Sequence, residues 1–348
     1  MNIKSLLLGS AAALAAVSGA HAADAIVAAE PEPMEYVRVC DAFGTGYFYI
    51  PGTETCLSIS GYVRTQIEYN DSRADDDDWG TYTRAYLTFA AKNDTEFGTL
   101  SSYINLQADS GHTWDVGSGG DVILDGAWIE IAGFKIGYFY NWWDDFGLAG
   151  ETDETGGNLF NSIQYTYDAG SFQVGASVED LDADVGSVYS ADQGFGHNDD
   201  VGISGLVRGT FGGVDALLIA SYDFDVEEAA FKARLTAAVG PGTFGIAGIY
   251  ATDPNAYWSD SEWSVVASYE LKATDKFTIT PAAQYFGSLR DGTNGFGDDD
   301  AWKVGLTAGY QITDGLRTLA TINYKKIDTD ADIDDDSISG FVRLQRDF

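Results

Sequence analysis

Few residues of this 348-residue chain have the types and spacing that bond-breaking chemistry needs. Beyond the N-terminal leader the histidines are His112 and His197, both in polar stretches that read as loops. No serine and acid are spaced with them as a nucleophile, base and orienting acid. Gly240-Pro241-Gly242-Thr243-Phe244-Gly245 satisfies G-x-G-x-x-G, but a dinucleotide site needs a helix next, and an alternating apolar stretch follows instead. From Asp328 to Asp336 aspartates alternate as in a calcium loop, yet Ile333 stands where that loop needs glycine and Ser339 where it needs glutamate. No catalytic residue, metal site or cofactor is therefore expected. The charged residues suggest a different task. Arg64, Arg84 and Arg343 carry guanidinium groups that stay charged at any working pH. Asp144, Asp145, Glu151, Asp153 and Glu154 crowd one stretch, 141–159, together with Trp142, Trp143 and Phe146. Two such sets facing each other across a narrow, wet gap would sort passing ions without any reaction.

Such a gap needs a scaffold, and residues 57–70 display its pattern. Leu57, Ile59, Gly61, Val63, Thr65, Ile67 and Tyr69 fall on one parity; Ser58, Ser60, Tyr62, Arg64, Gln66, Glu68 and Asn70 fall on the other. A strand sends alternate side chains to opposite faces. Similar stretches recur at 81–92, 99–109, 122–131, 134–140, 160–167, 172–180, 200–210, 214–223, 228–239, 243–250, 262–271, 276–286, 301–312, 316–326 and 337–348. Each is near the length a tilted membrane strand needs. Short connections, such as Ala132–Gly133 and Phe211–Gly213, alternate with mostly longer ones at 71–80, 110–121, 141–159, 181–199, 251–261, 287–300 and 327–336. The expectation is an all-β fold, a transmembrane antiparallel β-barrel of about sixteen strands with short periplasmic turns and long extracellular loops.

The two faces agree with a wide, wet barrel. Turning Ile104, Ile129, Val178, Leu235, Val265, Val304 and Ile322 outward sends Gln107, Glu130, Glu179, Arg234, Ser264, Gln284, Lys303, Thr307 and Asn323 inward. That inner face is too polar for a packed core, because buried charges need partners. Outward aromatics sit at strand ends. Tyr69, Tyr222, Tyr250, Trp263, Tyr285, Trp302 and Tyr324 mark the long-loop rim; Phe134, Phe172, Phe244, Phe277 and Phe348 mark the short-turn rim. Such girdles lie at membrane–water interfaces. Arg64, Arg84 and Arg343 fall on the polar parity near the middle of the first, second and last strands, which become neighbours when the barrel closes. Lys232, Arg234, Lys303 and Lys325 also face inward; plain lumen pairing, for instance Arg64 with Glu68, is the competing reading.

Residues 1–22, with Lys4, the apolar run Leu6 to Val17 and Ala20-His21-Ala22, read as a secretory signal peptide. Residues 23–56 form an N-terminal, periplasmic-side segment, and 57–348 the barrel. In an exported chain the two cysteines, Cys40 and Cys56, are expected to pair, stabilising the fold by roughly 3 kcal/mol. The formal charge of −35 excludes nucleic acid as a partner. The runs Asp75–Asp78, Asp298–Asp300 and Asp328–Asp336 read as solvated loops.

The run CLSISGYVR at 56–64, the start MNIKSLLLGSAAAL and the end FVRLQRDF at 341–348 resemble the general porins of alphaproteobacterial outer membranes, of the Brucella and rhizobial type. The resemblance implies a homotrimer of water-filled barrels among outer-membrane lipid and lipopolysaccharide, passing small hydrophilic solutes and ions by general diffusion. It implies that 141–159, the third long loop, folds inward and narrows the lumen. Its acids, Asp144, Asp145, Glu151, Asp153 and Glu154, would then form the negative side of a constriction whose positive side is Arg64, Arg84 and Arg343. It also implies that Phe348 is the terminal signal read by the barrel-assembly machinery. A substrate-specific, sugar-type channel is the alternative, with Trp142, Trp143 and Tyr138 as a stacking track. The trimer contact is expected on the first four strands, where Gly61, Thr65, Ala85, Ser102, Ala108 and Ala127 are small or smooth. The second to fourth of these are read as lacking an outward Tyr or Trp at the long-loop rim. The abundance of acids suggests a mild cation preference.

Overall fold

The computed structural model describes residues 37–71, 78–112, 122–181, 201–292, 295–329 and 335–348. The leader 1–22, residues 23–36 of the N-terminal segment, His197 and much of the first, second, fourth and last long loops lie outside the described residues. A compact body runs from Val39 to Phe348; of the preceding unit, Met1–Arg38, only exposed Val37 and Arg38 are described.

The body is a closed meander. A two-residue strand β1 (Phe48–Tyr49) precedes β2 (Cys56–Asn70), β3 (Trp79–Thr95), β4 (Gly98–His112), β5 (Val122–Ile131) and β6 (Phe134–Tyr140). One helical turn, α1 (Trp142–Asp145), leads to β7 (Leu159–Asp168), β8 (Phe172–Asp180), β9 (Val201–Phe211), β10 (Val214–Asp223), β11 (Glu228–Val239) and β12 (Gly242–Ala251). Then come β13 (Ser261–Lys272), β14 (Phe277–Leu289), β15 (Asp300–Thr313), β16 (Leu316–Asp328) and β17 (Asp335–Asp347). From β2 to β17 each strand pairs antiparallel with the next, and β17 pairs antiparallel with β2, so the sheet has no free edge. Phe348 completes the seam: its N–H and carbonyl exchange 3.0 Å bonds with Gly61.

The expected strands, faces and turns are those observed. Ile59, Val63, Ile67, Ile129, Val178, Leu235, Val304 and Ile322 are exposed on the outer wall, while Gln66, Gln107, Ser264, Gln284, Thr307 and Asn323 are buried on the inner one. The short turn Ala132–Gly133 has φ of 52° and 87°, the doubly positive form whose twist suits a two-residue hairpin. Cys40 and Cys56 form a disulfide with Cα atoms 5.9 Å apart, closing the loop that carries β1. Outward rings pair along the long-loop rim: Trp263 with Tyr285 and Trp302 with Tyr324, at 5.3 and 5.2 Å between centroids.

One detail departs from the sequence reading. Strand β3 begins at Trp79, two residues earlier than its alternation suggests, and Trp79 is 62% exposed beside Tyr69. The second strand therefore does carry a long-loop-rim aromatic. Asp78 and the acids before it masked the start of the strand. There is also a bulge in β5, where the register with β4 shifts at Asn105/Leu106, so that Asp125 and Gly126 are both buried while Leu124 and Ile129 stay outward.

Candidate functional site: a tethered loop across an arginine-lined lumen

The segment between β6 and β7 crosses the inside of the barrel. Asn141 caps α1 by accepting a 3.1 Å bond from the Trp143 N–H. The two tryptophans that follow are only 3% and 0% exposed, and with Phe160, Leu206, Leu217, Ile219, Ile249, Tyr257, Trp258 and Phe286 they form the main apolar cluster of the body. The core thus lies where this loop and residues 252–260 press on the inner wall. Trp143 donates through Nε1 to Ser221 Oγ at 2.9 Å, and Lys232, fully buried, donates to the carbonyls of Trp143 and Thr155 at 2.6 and 3.2 Å. Arg234 holds Gly147 O at 3.1 Å and pairs with Asp215 at 2.8 Å.

Farther along, the loop reaches β14, β15 and β16, half-way round the barrel from β6. The Glu151 N–H donates to Thr307 Oγ1 at 3.0 Å. Gln284 clasps the Glu154 backbone, accepting from its N–H at 2.7 Å and donating to its carbonyl at 2.5 Å. Lys303 and Lys325 hold the Glu154 carboxylate at 2.6 and 3.4 Å. Inward-facing glycines seat the loop. A Cβ on Gly175 would meet the Trp142 ring at 2.5 Å, and one on Gly245 would meet Leu148 at 2.8 Å. At Gly305 it would collide with Thr152.

Beside the far end of the loop, the next strands round the wall, β17, β2 and β3, bring Arg343, Arg64 and Arg84 together. Arg64 stands directly across from Arg84, and Gln345 lies across from Arg64 on the other side. Arg84 is committed to Asp109 by two bonds of 2.6 and 2.8 Å. Arg64 lies 5.3 and 5.7 Å from the ring centres of Tyr62 and Tyr82, and its Nε has no hydrogen-bond partner among the described residues. Arg343 donates to Gln66 Oε1 at 2.5 Å and faces Glu151 at 3.6 Å. With Arg317, Leu319 and Gln345, this pair lines a small cavity of about 90 Å³.

The acids of the loop thus have different fates. Glu151 alone meets the arginine row. Glu154 is latched to β15 and β16, on the wall adjoining the arginine row; burial works against its charge, but Lys303 and Lys325 outweigh it and hold its carboxyl below the usual range. Asp153 folds back on the loop, accepting from the Leu148 N–H at 2.8 Å. Asp144 and Asp145 lie at the near end; burial raises both, with the neighbouring Asp145 charge adding to the rise at Asp144 and Lys135 and Lys232 opposing it at Asp145. Glu151 keeps 35% of its side chain open. Loss of bulk water in the crowded lumen still raises its carboxyl, against the pull of Arg343 and Arg64. Trp142, Trp143 and Tyr138 are buried, so they offer no exposed stacking track.

The sequence reading placed Lys232, Lys303 and Lys325 inside but did not assign them as anchors. It also passed over the glycine seats and the buried acids Asp109 and Asp125. Parity carried the available signal: a glycine on the polar face, such as Gly305 between Val304 and Leu306, leaves room for something to lie against the wall.

Residues 24–347 match the profile described as "Porin subfamily". The chain is 45% identical over 357 residues to "Outer membrane protein IIIA" of Rhizobium leguminosarum bv. viciae, covering 98% of this chain and 93% of that one. It is 35% identical over 386 residues to "Porin Omp2a" of Brucella melitensis, covering 100% of both. The fold is similar to that of OmpT, an outer membrane protein of Vibrio cholerae solved in a trimer form. The TM-score is 0.61 at 14% identity, over 85% of this chain and 100% of that one.

Proposed function

The chain belongs to the porin subfamily, and from that premise we propose that the gap between Glu151 and the arginine row is the narrow point of its pore. The protein is a general diffusion porin of the bacterial outer membrane, a water-filled barrel for small hydrophilic solutes and ions. The observation that carries the constriction reading is the loop itself. It is tethered to β10 and β11 near its start and to β14–β16 near its far end, with Glu151 left 3.6 Å from Arg343. Arg64, Arg84 and Arg343 form the positive wall and Glu151 the opposing charge. Glu154, Asp153, Asp144 and Asp145 hold or shape the loop. No bond chemistry is assigned to the lumen.

The finer assignments follow the same reading. Residues 1–22 are removed on export, and 23–56 remain on the periplasmic side. Phe348, 56% exposed yet hydrogen-bonded through its backbone to Gly61, is the mark for the barrel-assembly machinery. The outer wall meets lipid and lipopolysaccharide. The mature protein is a homotrimer, packed through the smooth outer face of β2–β5. OmpT's trimer form supports this, and Trp79 then lies at the edge of that contact. The test is reconstitution into planar bilayers. Ohmic conductance in KCl and sugar flux linear in concentration are expected. Saturable sugar flux would favour the substrate-specific alternative, and absence of conductance would overturn the reading.

A further inference from the structure

At the short-turn mouth, away from the constriction, the inner wall carries a second basic site. Lys92, Ser101, Glu130, Lys135 and Gln164 lie side by side in register across β3–β7. The disulfide-closed loop 40–56 brings Phe43 and Tyr47 against them. Phe43 and the five wall residues line an open cavity of about 470 Å³, within the range of small-molecule sites.

The lysines are unusual in their company. Neither makes an ion pair with a carboxylate among the described residues. Lys92 lies 5.4 and 5.7 Å from the ring centres of Tyr47 and Tyr103, and Lys135 lies 4.8 and 4.1 Å from those of Trp128 and Phe139. Glu130, between them in register, accepts from Trp128 Nε1 at 2.8 Å. The acids acting on Lys135 at longer range are Asp145 and Glu130. Lys92 rests against the neutral hydroxyls of Tyr47 and Tyr103 and Lys135 over ring faces, so both keep their charge available to a third party. Phe43 and Tyr103 give the cavity aromatic walls, and Tyr103 is backed by Trp128, stacked on it at 5.0 Å.

We propose that this cavity is a binding site for small organic anions with an aromatic body, aryl carboxylates above all. The carboxylate would bridge toward Lys92 and Lys135, and the ring would lie against Phe43 and Tyr103. In a chain of formal charge −35 such a site gives aromatic anions a resting place at the periplasmic mouth that inorganic anions lack. The proposal rests on the porin reading.

The experiment uses the full mature protein in planar bilayers in KCl, with salicylate, and separately acetate, added on the short-turn side. Salicylate is expected to reduce the current saturably, and acetate at equal concentration is not. In the double variant Lys92→Gln/Lys135→Gln, with KCl conductance retained, the half-effective salicylate concentration rises about tenfold. Lys276→Gln, on the same rim outside the cavity, leaves it unchanged. Normal KCl conductance with no saturable salicylate effect in the unmutated protein would overturn the proposal alone. So would an effect unchanged in the double variant, or one that acetate matches. Absence of KCl conductance would overturn the porin reading and the proposal with it.

Discussion

Replacing Arg343 by serine removes a guanidinium that faces Glu151 at 3.6 Å while leaving the loop's anchors, Glu154, Gln284 and Lys232, untouched. The effect on a passing ion follows from Coulomb's law. At about 5 Å in water a unit charge is worth about 0.8 kcal/mol, and screening over about 8 Å in physiological salt lowers this to about 0.4 kcal/mol. The cation gains what the anion loses, so their permeability ratio should shift about four- to fifteen-fold toward cations, the lower figure at physiological salt. Arg64→Ser should act similarly, because among the described residues no carboxylate is committed to Arg64 as Asp109 is to Arg84. The assay is the reversal potential of single channels across a KCl gradient, with trimer yield as the folding control. If both variants form normal trimers with unchanged reversal potential, the arginine row does not face the narrow point and the constriction lies elsewhere.

The other predictions use different handles on the same loop and wall. Glu151 titrates above the ordinary glutamate value and Glu154 below it, so on acidification Glu151 takes up its proton before Glu154. Anion preference should therefore rise before the loop is released, as read by reversal potential against pH. The stability that the depressed Glu154 contributes is present above its unfolded value and lost only as pH falls through its lower folded value, which thermal melts at stepped pH would reveal. Gly175→Val should push Trp142 off its seat, costing roughly 1–3 kcal/mol and raising single-channel conductance; an unchanged conductance would contradict the seat. Arg84→Ala strands Asp109, whose side chain is 3% exposed, and should cost about 3–5 kcal/mol in unfolding experiments with little added effect on the loop. Ser102→Arg on β4 should shift the protein from trimer to monomer in native mass spectrometry.

Parity made most of the barrel legible. A strand's side-chain period is two whatever its neighbours are, so Arg64, Arg84 and Arg343 could be placed inside from β2, β3 and β17 alone. The closure between β17 and β2 then follows from an even strand count. The loop had no such period. Whether Glu154 or Glu151 meets an arginine depends on Gln284, Lys303 and Lys325, more than a hundred residues later in the chain, and nothing local in 141–158 encodes that docking. Trp79 was hidden for a similar reason, since an acidic run obscured the alternation at the start of β3. The bulge at Asp125 breaks the period itself, so parity on β5 predicts one side of it and misplaces the other.

Tethering and selectivity compete for the same charges in this lumen. A peptide crossing a wet barrel keeps water on both sides, so its backbone gains little from hydrogen bonds to the wall unless they are dry or reinforced. The anchors are accordingly buried or ionic: Trp143 and Lys232 at one end, Glu154 between two lysines at the other. A carboxylate latched by Lys303 and Lys325 adds almost nothing to the field that a passing ion feels, because its neutralising partners sit with it. What remains unlatched at the gap is Glu151 against Arg343 and Arg64, a small positive excess in a chain of strongly negative total charge. On the proposed reading, the chain's excess of acids favours cations overall, while the arginine row would temper that preference at the narrow point. The mild cation preference suggested by composition is therefore a balance of two fields, and removing one guanidinium should tip it.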